Sequence, residues 1–272
     1  MKVALFRHVQ PFTVYFTASL APSLLVLNIE GLRADGPSLW FPFVSTALAF
    51  LSAAGIVMPI AWLYLFLSSK RDARRPLMTG PAEASFLSLI LGYLVPTASM
   101  IITVNELSIL AWSTCALWIV LLQYAWLSIR PTTATSGFWT TQLALGTTLL
   151  TSTAVHLTMM INFAPKVSPQ DAYDWLPGWS IQDPRSLTPE AVVLQFLQWD
   201  ALFTNLSFIV AGFLFADSWP EFLLYGMAFP MVLLGFGPGA AISGMWMWRE
   251  WKLAMLEEAE IEALKVAEKK EE

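Results

Sequence analysis

The stretch ASFLSLILGYLVPTASMIITV, residues 84–104, runs for 21 positions without a charged side chain. A helix of this length is about 30 Å long, which matches the hydrocarbon thickness of a bilayer. Only Asn105 and Glu106 separate it from a second apolar run, residues 107–128. Two such runs joined by a tight polar turn predict a pair of membrane-spanning helices.

Five further apolar runs flank this pair, and together the seven predict a polytopic membrane protein. They cover residues 9–27, 40–67, 138–162, 190–216 and 221–248. Their residues are continuously apolar, whereas the strands of a membrane barrel alternate apolar and polar positions. The predicted fold class is therefore all-α. We expect a bundle of about seven transmembrane helices over residues 1–248 and a polar amphipathic tail over 249–272.

Composition supports a lipid environment and excludes several classes of protein. Of the 272 residues 56% are hydrophobic and 13% charged, about half the charged share of an ordinary soluble domain. The net charge is −5, and seven Glu against three Lys in residues 257–272 account for −4 of it. A nearly neutral apolar body excludes a disordered chain and a nucleic-acid-binding protein. The expected partner is the bilayer.

Two sequence signals for orientation conflict. The loop after the second predicted span carries Lys70, Arg71, Arg74 and Arg75, and the positive-inside rule assigns such a loop to the cytosol. We call the face of this loop side A and the opposite face side B. Seven spans place the C-terminal tail on side B, yet its Arg249 and Lys252 and its polar character also suit the cytosol. The sequence leaves the orientation open.

Asp200, in the segment QFLQWDALFTNLS of residues 195–207, is the clearest candidate for chemistry. It lies ten residues after Glu190, about 15 Å into the sixth span and near the bilayer midplane. Ionisable residues at this depth are costly and usually functional. Because burial disfavours the charged form of a carboxyl group, we expect a neutral acid that donates a proton. The alternative is a structural residue that joins two helices by a hydrogen bond.

Other polar groups are predicted to share the side-B half of the membrane with Asp200. The span directions place Glu30 and Glu106 in side-B turns, and His156 about 9 Å from the side-B end of the fifth span. The loop of residues 164–187 is expected to cover the resulting cavity. For Glu30 and Glu106 the alternative is an ordinary cap at the membrane interface, and for His156 it is a hydrogen bond to a neighbouring helix.

No cofactor or metal motif is visible. The chain has one cysteine, Cys115, and two histidines, His8 and His156, too few for a cysteine-based zinc site or a diiron centre. The run GFGPGAA, residues 235–241, lies within a predicted apolar helix without a preceding strand, so it indicates close helix packing and not dinucleotide binding. We therefore expect chemistry without a metal or another cofactor.

The segments SLILGYLVPTASM, residues 88–100, and QFLQWDALFTNLS resemble the integral-membrane terpene cyclases of fungal meroterpenoid biosynthesis. The resemblance is spread over most of residues 10–250. It implies a multi-pass enzyme, expected in the endoplasmic reticulum, that acts on a lipophilic prenylated small molecule. Such enzymes protonate an epoxide or terminal alkene of a farnesyl-type chain, and ring closure traps the carbocation. A glutamate in an early helix and an aspartate in a late one serve the better-known members.

Residue by residue, the resemblance carries over in part. Asp200 matches the late aspartate, whereas the second span contains no acid, so Glu106 or Glu30 would replace the glutamate and His156 would assist. Aromatic faces stabilise a carbocation by cation–π attraction. The predicted substrate-binding residues, aromatic and polar, are Trp199, Phe196, Phe203, Trp112, Trp118, Gln198 and Asn205. A sterol-type double-bond isomerase and a non-enzymatic transporter or scaffold are the alternatives.

Overall fold

The computed structural model describes residues 2–33, 40–68, 76–130, 135–163 and 188–271. These residues form an all-α bundle, as predicted, and their one β contact is a bridge between Met78 and Ser136. Within them, five helices are long and apolar enough to cross a membrane, or six if one bent pair counts as a single span. The protein is therefore an α-helical membrane protein.

The helices follow one another with short breaks. In chain order they are α1 (Lys2–Gly31), α2 (Trp40–Leu51), α3 (Ala54–Ser68), α4 (Thr79–Leu89), α5 (Val95–Thr103), α6 (Glu106–Ser113), α7 (Cys115–Ile129), α8 (Phe138–Phe163), α9 (Pro189–Leu214), α10 (Trp219–Phe236) and α11 (Pro238–Glu271). A π-helical turn, Ile90–Leu94, joins α4 to α5, and α6 and α7 meet at an angle of 61°.

The predicted second span, residues 40–67, is not one straight helix. Phe41 near the start of α2 stacks on Tyr64 near the end of α3, with ring centroids 5.1 Å apart. The chain therefore reverses direction at Ser52 and Ala53. In a continuous helix these rings would be about 34 Å apart. The α2–α3 pair is therefore a re-entrant hairpin that enters and leaves on the same side.

This hairpin corrects the predicted position of Glu30. With a straight second span Glu30 belongs to side B, but the reversal leaves both ends of the hairpin on the side where α1 ends. That side also holds the start of α4, so it is side A. The basic loop itself lies outside the described residues.

The predicted seventh span, residues 221–248, is also wrong as a single helix. Gly237, with φ of +91°, ends α10, and Pro238 opens α11 as Pro commonly does at a first helical position. The two helices then run side by side in opposite directions, since Trp248 of α11 donates to Glu221 at the start of α10 over 3.1 Å. The run GFGPGAA is thus a turn.

The reversal at Gly237 removes the orientation conflict. Because α11 returns to side A, the polar tail and the basic loop belong to the same face, and the positive-inside rule predicts that this face is cytosolic. The tail is not a separate segment, since α11 continues without a break to Glu271.

Helix α1 forms the centre of the bundle and is the most buried candidate span. Tyr93 in the π-helical turn donates to the Thr17 carbonyl of α1 over 2.8 Å. Near side A, the Gln123 amide donates to Asn28 over 2.7 Å and to Ser88 over 3.1 Å. These contacts join α1 to α4 and α7 through polar groups that the apolar surroundings would otherwise leave unpaired.

Side-chain hydrogen bonds cap the starts of α9 and α10. Thr188 accepts a hydrogen bond from the Ala191 amide over 3.3 Å, and Ser218 accepts from the Glu221 amide over 3.4 Å. These caps fix where α9 and α10 begin. They set the register of the two helices that carry Asp200 and the α10–α11 turn.

Candidate functional site

Asp200 lies in α9 against the tip of the re-entrant hairpin. Its side chain is 8% exposed, and its Oδ1 accepts a 2.6 Å hydrogen bond from the Gly55 amide at the start of α3. A carboxylate at this position acts as an N-cap supplied by another helix, because the first amides of a helix have no partner within it. Asp200 therefore holds the hairpin tip at mid-membrane depth.

Two effects act on the charge of Asp200 in opposite directions. Burial in an apolar bundle favours the protonated acid, whereas an amide donor and the positive end of the α3 dipole favour the carboxylate. The Asp200 side chain can accept the Gly55 hydrogen bond both as a neutral acid and as a carboxylate. The same bond also gives Asp200 a structural task, which agrees with the alternative weighed from the sequence.

An apolar groove runs between α3 and α9, beginning one helical turn from Asp200. It has a volume of about 380 Å³, within the range of small-molecule sites. It is open along one side towards the lipid. Its lining comes from Pro59, Trp62 and Leu63 of α3, from Phe203, Leu206, Ser207, Val210, Ala211 and Leu214 of α9, and from Phe215 directly after α9.

Four aromatic rings pack together beside the groove, and two of them, Trp62 and Phe215, belong to its lining. Trp62 lies 4.9 Å from Phe208, 5.3 Å from Trp246 and 6.4 Å from Phe215, between ring centroids. We call these four residues the aromatic cluster. Trp62 is 5% exposed, and its indole Nε1 has no acceptor within the described part of the chain.

A buried group of charges lies behind the aromatic cluster on side A. We call Glu30, Arg33, Arg249 and Glu250 the ion cluster. Arg33 donates to Glu30 over 3.1 Å and also pairs with Glu250, and Arg249 pairs with Glu30. Trp246 joins the two clusters by donating to Glu30 over 3.1 Å. Burial lowers the pKa of Arg33, but the carboxylates of Glu250 and Glu30 outweigh it and raise that pKa above its ordinary value.

Charged side chains lie beside the side-A end of the groove, whose lining there is apolar. The Arg249 guanidinium lies 4.3 Å from the centroid of the Phe215 ring, a cation–π distance. Next to it, Lys252 bridges Asp217 over 2.7 Å and Glu221 over 2.8 Å. The groove thus has charged side chains beside its side-A end, Trp62 and Phe215 in its lining, and a buried carboxyl group one helical turn beyond its other end.

His156 lies outside this groove. Its Nδ1 is 3.2 Å from the Tyr15 hydroxyl, and its Nε2 is 3.2 Å from the Leu234 carbonyl. The ring also packs against Gly237, where an added Cβ would meet it at 2.8 Å. His156 therefore stabilises the α10–α11 turn, as the hydrogen-bonded alternative proposed.

The structure does not bring the four predicted catalytic residues together. Glu30 belongs to the ion cluster on side A, whereas Glu106 is exposed at the first position of α6, in the side-B turn. Within the described residues, no hydrogen bond or ion pair joins Asp200 to Glu30, Glu106 or His156. The prediction that all four residues line one cavity on side B is therefore wrong. Its predicted cover, residues 164–187, lies outside the described residues.

The predicted substrate-binding residues divide in the same way. Phe203 lines the groove, and Trp199 stacks on it with centroids 5.6 Å apart. Gln198 and Asn205 are buried on the same helix. Phe196 and Trp118 are 51% and 45% exposed, and Trp112 packs on Phe50 of α2, so these three lie outside the groove.

Several residues of the site escaped the sequence analysis, namely Trp62, Phe208, Phe215, Trp246, Arg33, Arg249 and Glu250. The sequence places Arg249 and Glu250 in the polar tail, because the apolar run of the predicted seventh span ends at Trp248. The signal that could have found them is the close spacing of Trp246, Arg249 and Glu250, an aromatic ring and two charges on adjacent turns of one helix.

Among the described residues, no group of three His, Cys, Asp or Glu side chains is arranged to hold a metal ion. Comparison with known proteins gives no match: no family model fits the chain, and no curated protein or solved structure is similar to it. The chemistry of the site therefore has to be argued from its own residues.

Proposed function

We propose that this protein is a membrane enzyme that cyclises a farnesyl-type prenyl chain, or its epoxide, attached to an aromatic or polyketide head. The observation that carries the proposal is the groove between α3 and α9, which begins one helical turn from the buried Asp200 and has Trp62 and Phe215 of the aromatic cluster in its lining. The apolar walls suit a hydrocarbon chain, and the opening towards lipid gives such a substrate a route from the bilayer. By the resemblance, the expected location is the endoplasmic reticulum.

The proposed reaction starts at Asp200. Its carboxyl proton is transferred to the epoxide oxygen, whose C–O bond breaks, or to the terminal carbon of an alkene. The carbocation is attacked by the next double bond of the chain, which forms a ring C–C bond and moves the charge along the chain. Loss of a proton to the Asp200 carboxylate, or to another base, ends the reaction, so atoms balance without a co-reactant.

The arrangement of the groove supports this order of events. An added Cβ on Gly55 would meet Phe203 Cβ at 2.9 Å and Asp200 Oδ1 at 3.1 Å, so acid and groove wall lie on either side of one glycine. As charge moves away from Asp200 it approaches the aromatic cluster, whose ring faces attract cations. A water-poor site also protects the carbocation from hydration.

Turnover of defined substrates tests the proposal. Microsomes containing the full chain are given a farnesyl hydroquinone or its epoxide, and product mass and ring count are measured. We expect a cyclic isomer from the wild type, none from Asp200→Asn, and an undiminished rate with EDTA. The matched control is Asp217→Asn, a carboxyl group at the side-A interface, which should retain turnover. Full turnover by Asp200→Asn would remove Asp200 from the mechanism.

The re-entrant hairpin favours a second candidate, a proton-coupled transporter. Broken helices whose N-termini meet at mid-membrane often hold an anionic substrate in transporters, and here the N-terminus of α3 is held by Asp200 instead. Protonation of Asp200 would free that helix end. Uptake of an organic anion into proteoliposomes under an imposed pH gradient, without any cyclised product, would support transport over cyclisation.

A further inference from the structure

We infer that the tip of the re-entrant hairpin binds a small monovalent cation, such as Na⁺, which reaches it through water from side B. The ligands are the carbonyl oxygens at the end of α2, and the Asp200 carboxylate nearby supplies the balancing charge. This site is independent of the proposed cyclisation. The observations that carry it are four backbone carbonyls without a donor, their exposure at mid-membrane depth, and the charge around them.

Helix α2 ends without a cap. Its last backbone hydrogen bond runs from the Ser52 amide to the Leu48 carbonyl over 2.9 Å. Within the described part of the chain, no backbone amide donates to the next four carbonyls, those of residues 49–52. The last four carbonyls of any helix lack a partner within it, and at an ordinary helix end water supplies one. This helix end instead lies at the level of Asp200, at mid-membrane depth.

The described residues leave the end of α2 uncovered. Leu51 is 84% exposed, and Ser52 next to it is also exposed. Irregular backbone at this depth is not tolerated against lipid tails, and it occurs where protein buries it or where it lines a water-filled cavity. Because the described residues do not bury Leu51 and Ser52, we expect water at the tip.

The shorter route to bulk water leads to side B. Trp112 of α6 packs edge-on against Phe50 near the end of α2, with ring centroids 5.1 Å apart. Trp112 lies six residues after Glu106, about 9 Å along α6 from the side-B turn. The twelve residues of α2 place the tip about 18 Å from side A. Water and small ions therefore have the shorter distance to cover from side B.

The charges at the tip favour a cation. A helix C-terminus carries about half a negative charge and a helix N-terminus about half a positive charge. Only Ser52 and Ala53 separate the end of α2 from the start of α3, so these two partial charges largely cancel. The Asp200 carboxylate, which accepts from the Gly55 amide, then leaves about one negative charge at the tip. One monovalent cation balances that charge.

The donor atoms select the kind of ion. Carbonyl and carboxylate oxygens are hard ligands, which suit alkali and alkaline-earth cations better than metals that prefer nitrogen or sulfur. A single balancing charge favours an alkali cation over a divalent one. Broken helices of secondary transporters coordinate Na⁺ in this way, through unwound carbonyls and the C-terminal ends of half-helices. The groove between α3 and α9 is a separate feature, since its lining begins one helical turn nearer side A.

Side-specific thiol labelling tests whether water reaches the tip. In a Cys115→Ala background, Ser52→Cys in sealed vesicles receives an impermeant methanethiosulfonate reagent from one side or the other, and we expect reaction from side B only. The control is Leu150→Cys, because Leu150 is 69% exposed and lies twelve residues, about 18 Å, from the side-A start of α8. This cysteine at the same depth should not react. An unreactive Ser52→Cys, or equal reaction of the two cysteines, would overturn the inference.

Protection of Ser52→Cys by Na⁺ tests the cation itself. At a Na⁺ concentration several times its Kd, labelling should slow about fivefold relative to N-methylglucamine chloride of the same ionic strength, because an occupied site excludes the reagent. Asp200→Asn should abolish this protection, since it removes the balancing charge. Glu106→Gln is the matched control, a carboxyl group exposed in the side-B turn, and should retain it. Labelling that Na⁺ does not slow, or protection that persists in Asp200→Asn, would overturn the inference.

These results are separate from turnover. Protection by Na⁺ in a protein that forms no cyclised product would retain the cation site and reject the cyclase. Cyclisation by a protein whose Ser52→Cys variant shows no protection would retain the cyclase and reject the cation site.

Discussion

Asp200 and Gly55 are 145 residues apart in sequence, yet the Gly55 amide donates a 2.6 Å hydrogen bond to the Asp200 carboxylate. This bond joins the tip of a hairpin that enters from side A to a helix that crosses the bundle. It also places the acid close to Phe203, which lines the groove. The stability of the hairpin and the chemistry of the acid can therefore be tested at one position.

Two substitutions at Asp200 should separate its structural role from its chemical role. Asp200→Asn keeps an oxygen that can accept from Gly55, so we expect thermal unfolding in detergent close to that of the wild type. Asp200→Leu removes the acceptor and leaves a buried amide unpaired, which costs about 1–3 kcal/mol. Equal unfolding midpoints for Asp200→Leu and Asp200→Asn would show that the bond contributes nothing to the fold.

Gly55→Ala should displace the hairpin from α9. The added Cβ would lie 2.9 Å from Phe203 Cβ and 3.0 Å from the Asp200 backbone oxygen, so one of the two helices must move. We expect a lower unfolding midpoint and weaker binding in the groove. Gly226→Ala is the matched control, since its Cβ would meet nothing within 4 Å, and a helical Gly→Ala change there should stabilise by about 0.5–1 kcal/mol. A Gly55→Ala protein as stable as this control would contradict the close packing.

The ion cluster should be far more sensitive to substitution than a surface pair. Arg33→Met leaves the fully buried Glu250 without its main partner, and breaking a buried pair in this way costs about 3–5 kcal/mol. The control is Arg130→Met, which breaks a half-exposed pair with Glu83 and should cost about 0–1 kcal/mol. Chemical denaturation in detergent measures both. Similar losses in the two variants would mean that the ion cluster is solvated.

Thiol labelling from one side of the membrane should report the reversal of the chain at Gly237. In a Cys115→Ala background, Arg130→Cys and Lys269→Cys should react with an impermeant reagent from the same side, and Glu106→Cys from the other. A straight seventh span would put residues 130 and 269 on opposite sides. Labelling of Lys269→Cys together with Glu106→Cys would therefore reject the turn at Gly237.

Val104→Gly should stabilise the protein. Val104 ends α5 with φ of +47°, a left-handed conformation that costs an L-residue about 1–2 kcal/mol and glycine almost nothing. We expect the unfolding midpoint to rise. The control is Val95→Gly in ordinary helical geometry of the same helix, which should lower the midpoint, and a decrease with Val104→Gly as well would argue against the left-handed turn.

Sequence reasoning predicted the apolar helices well, because bilayer thickness sets their length whatever the fold. It failed where a run of the right length is divided between two helices. Residues 40–67 and 221–248 both look like single spans, and the reversals depend on a two-residue break at Ser52 and on the positive φ of Gly237. Apolar periodicity carries no information on such breaks. Gly237-Pro238 was a visible turn signal that hydropathy outweighed.

Only part of the site could be predicted, because the pattern within one helix does not show how the helices turn and pack. The depth of Asp200 in its helix follows from counting residues, and Phe203 one turn further along the same helix could be inferred with it. The predicted side of Glu30 depends on whether residues 40–67 cross the membrane or return to the side they entered from. Because they return, Glu30 lies on side A and not on side B. Trp62 and Trp246 meet only through tertiary packing, which no single-helix pattern records.

Helix α11 has one more consequence, for the space outside the membrane. From Lys252, which is tied to Asp217 and Glu221, it continues nineteen residues to Glu271, about 28 Å of uninterrupted rod. A fluorophore or fusion partner at its end is therefore carried past the lipid headgroups at a set height. The far end of α11 thus offers a spacer of known length for measuring how far this face stands from neighbouring molecules.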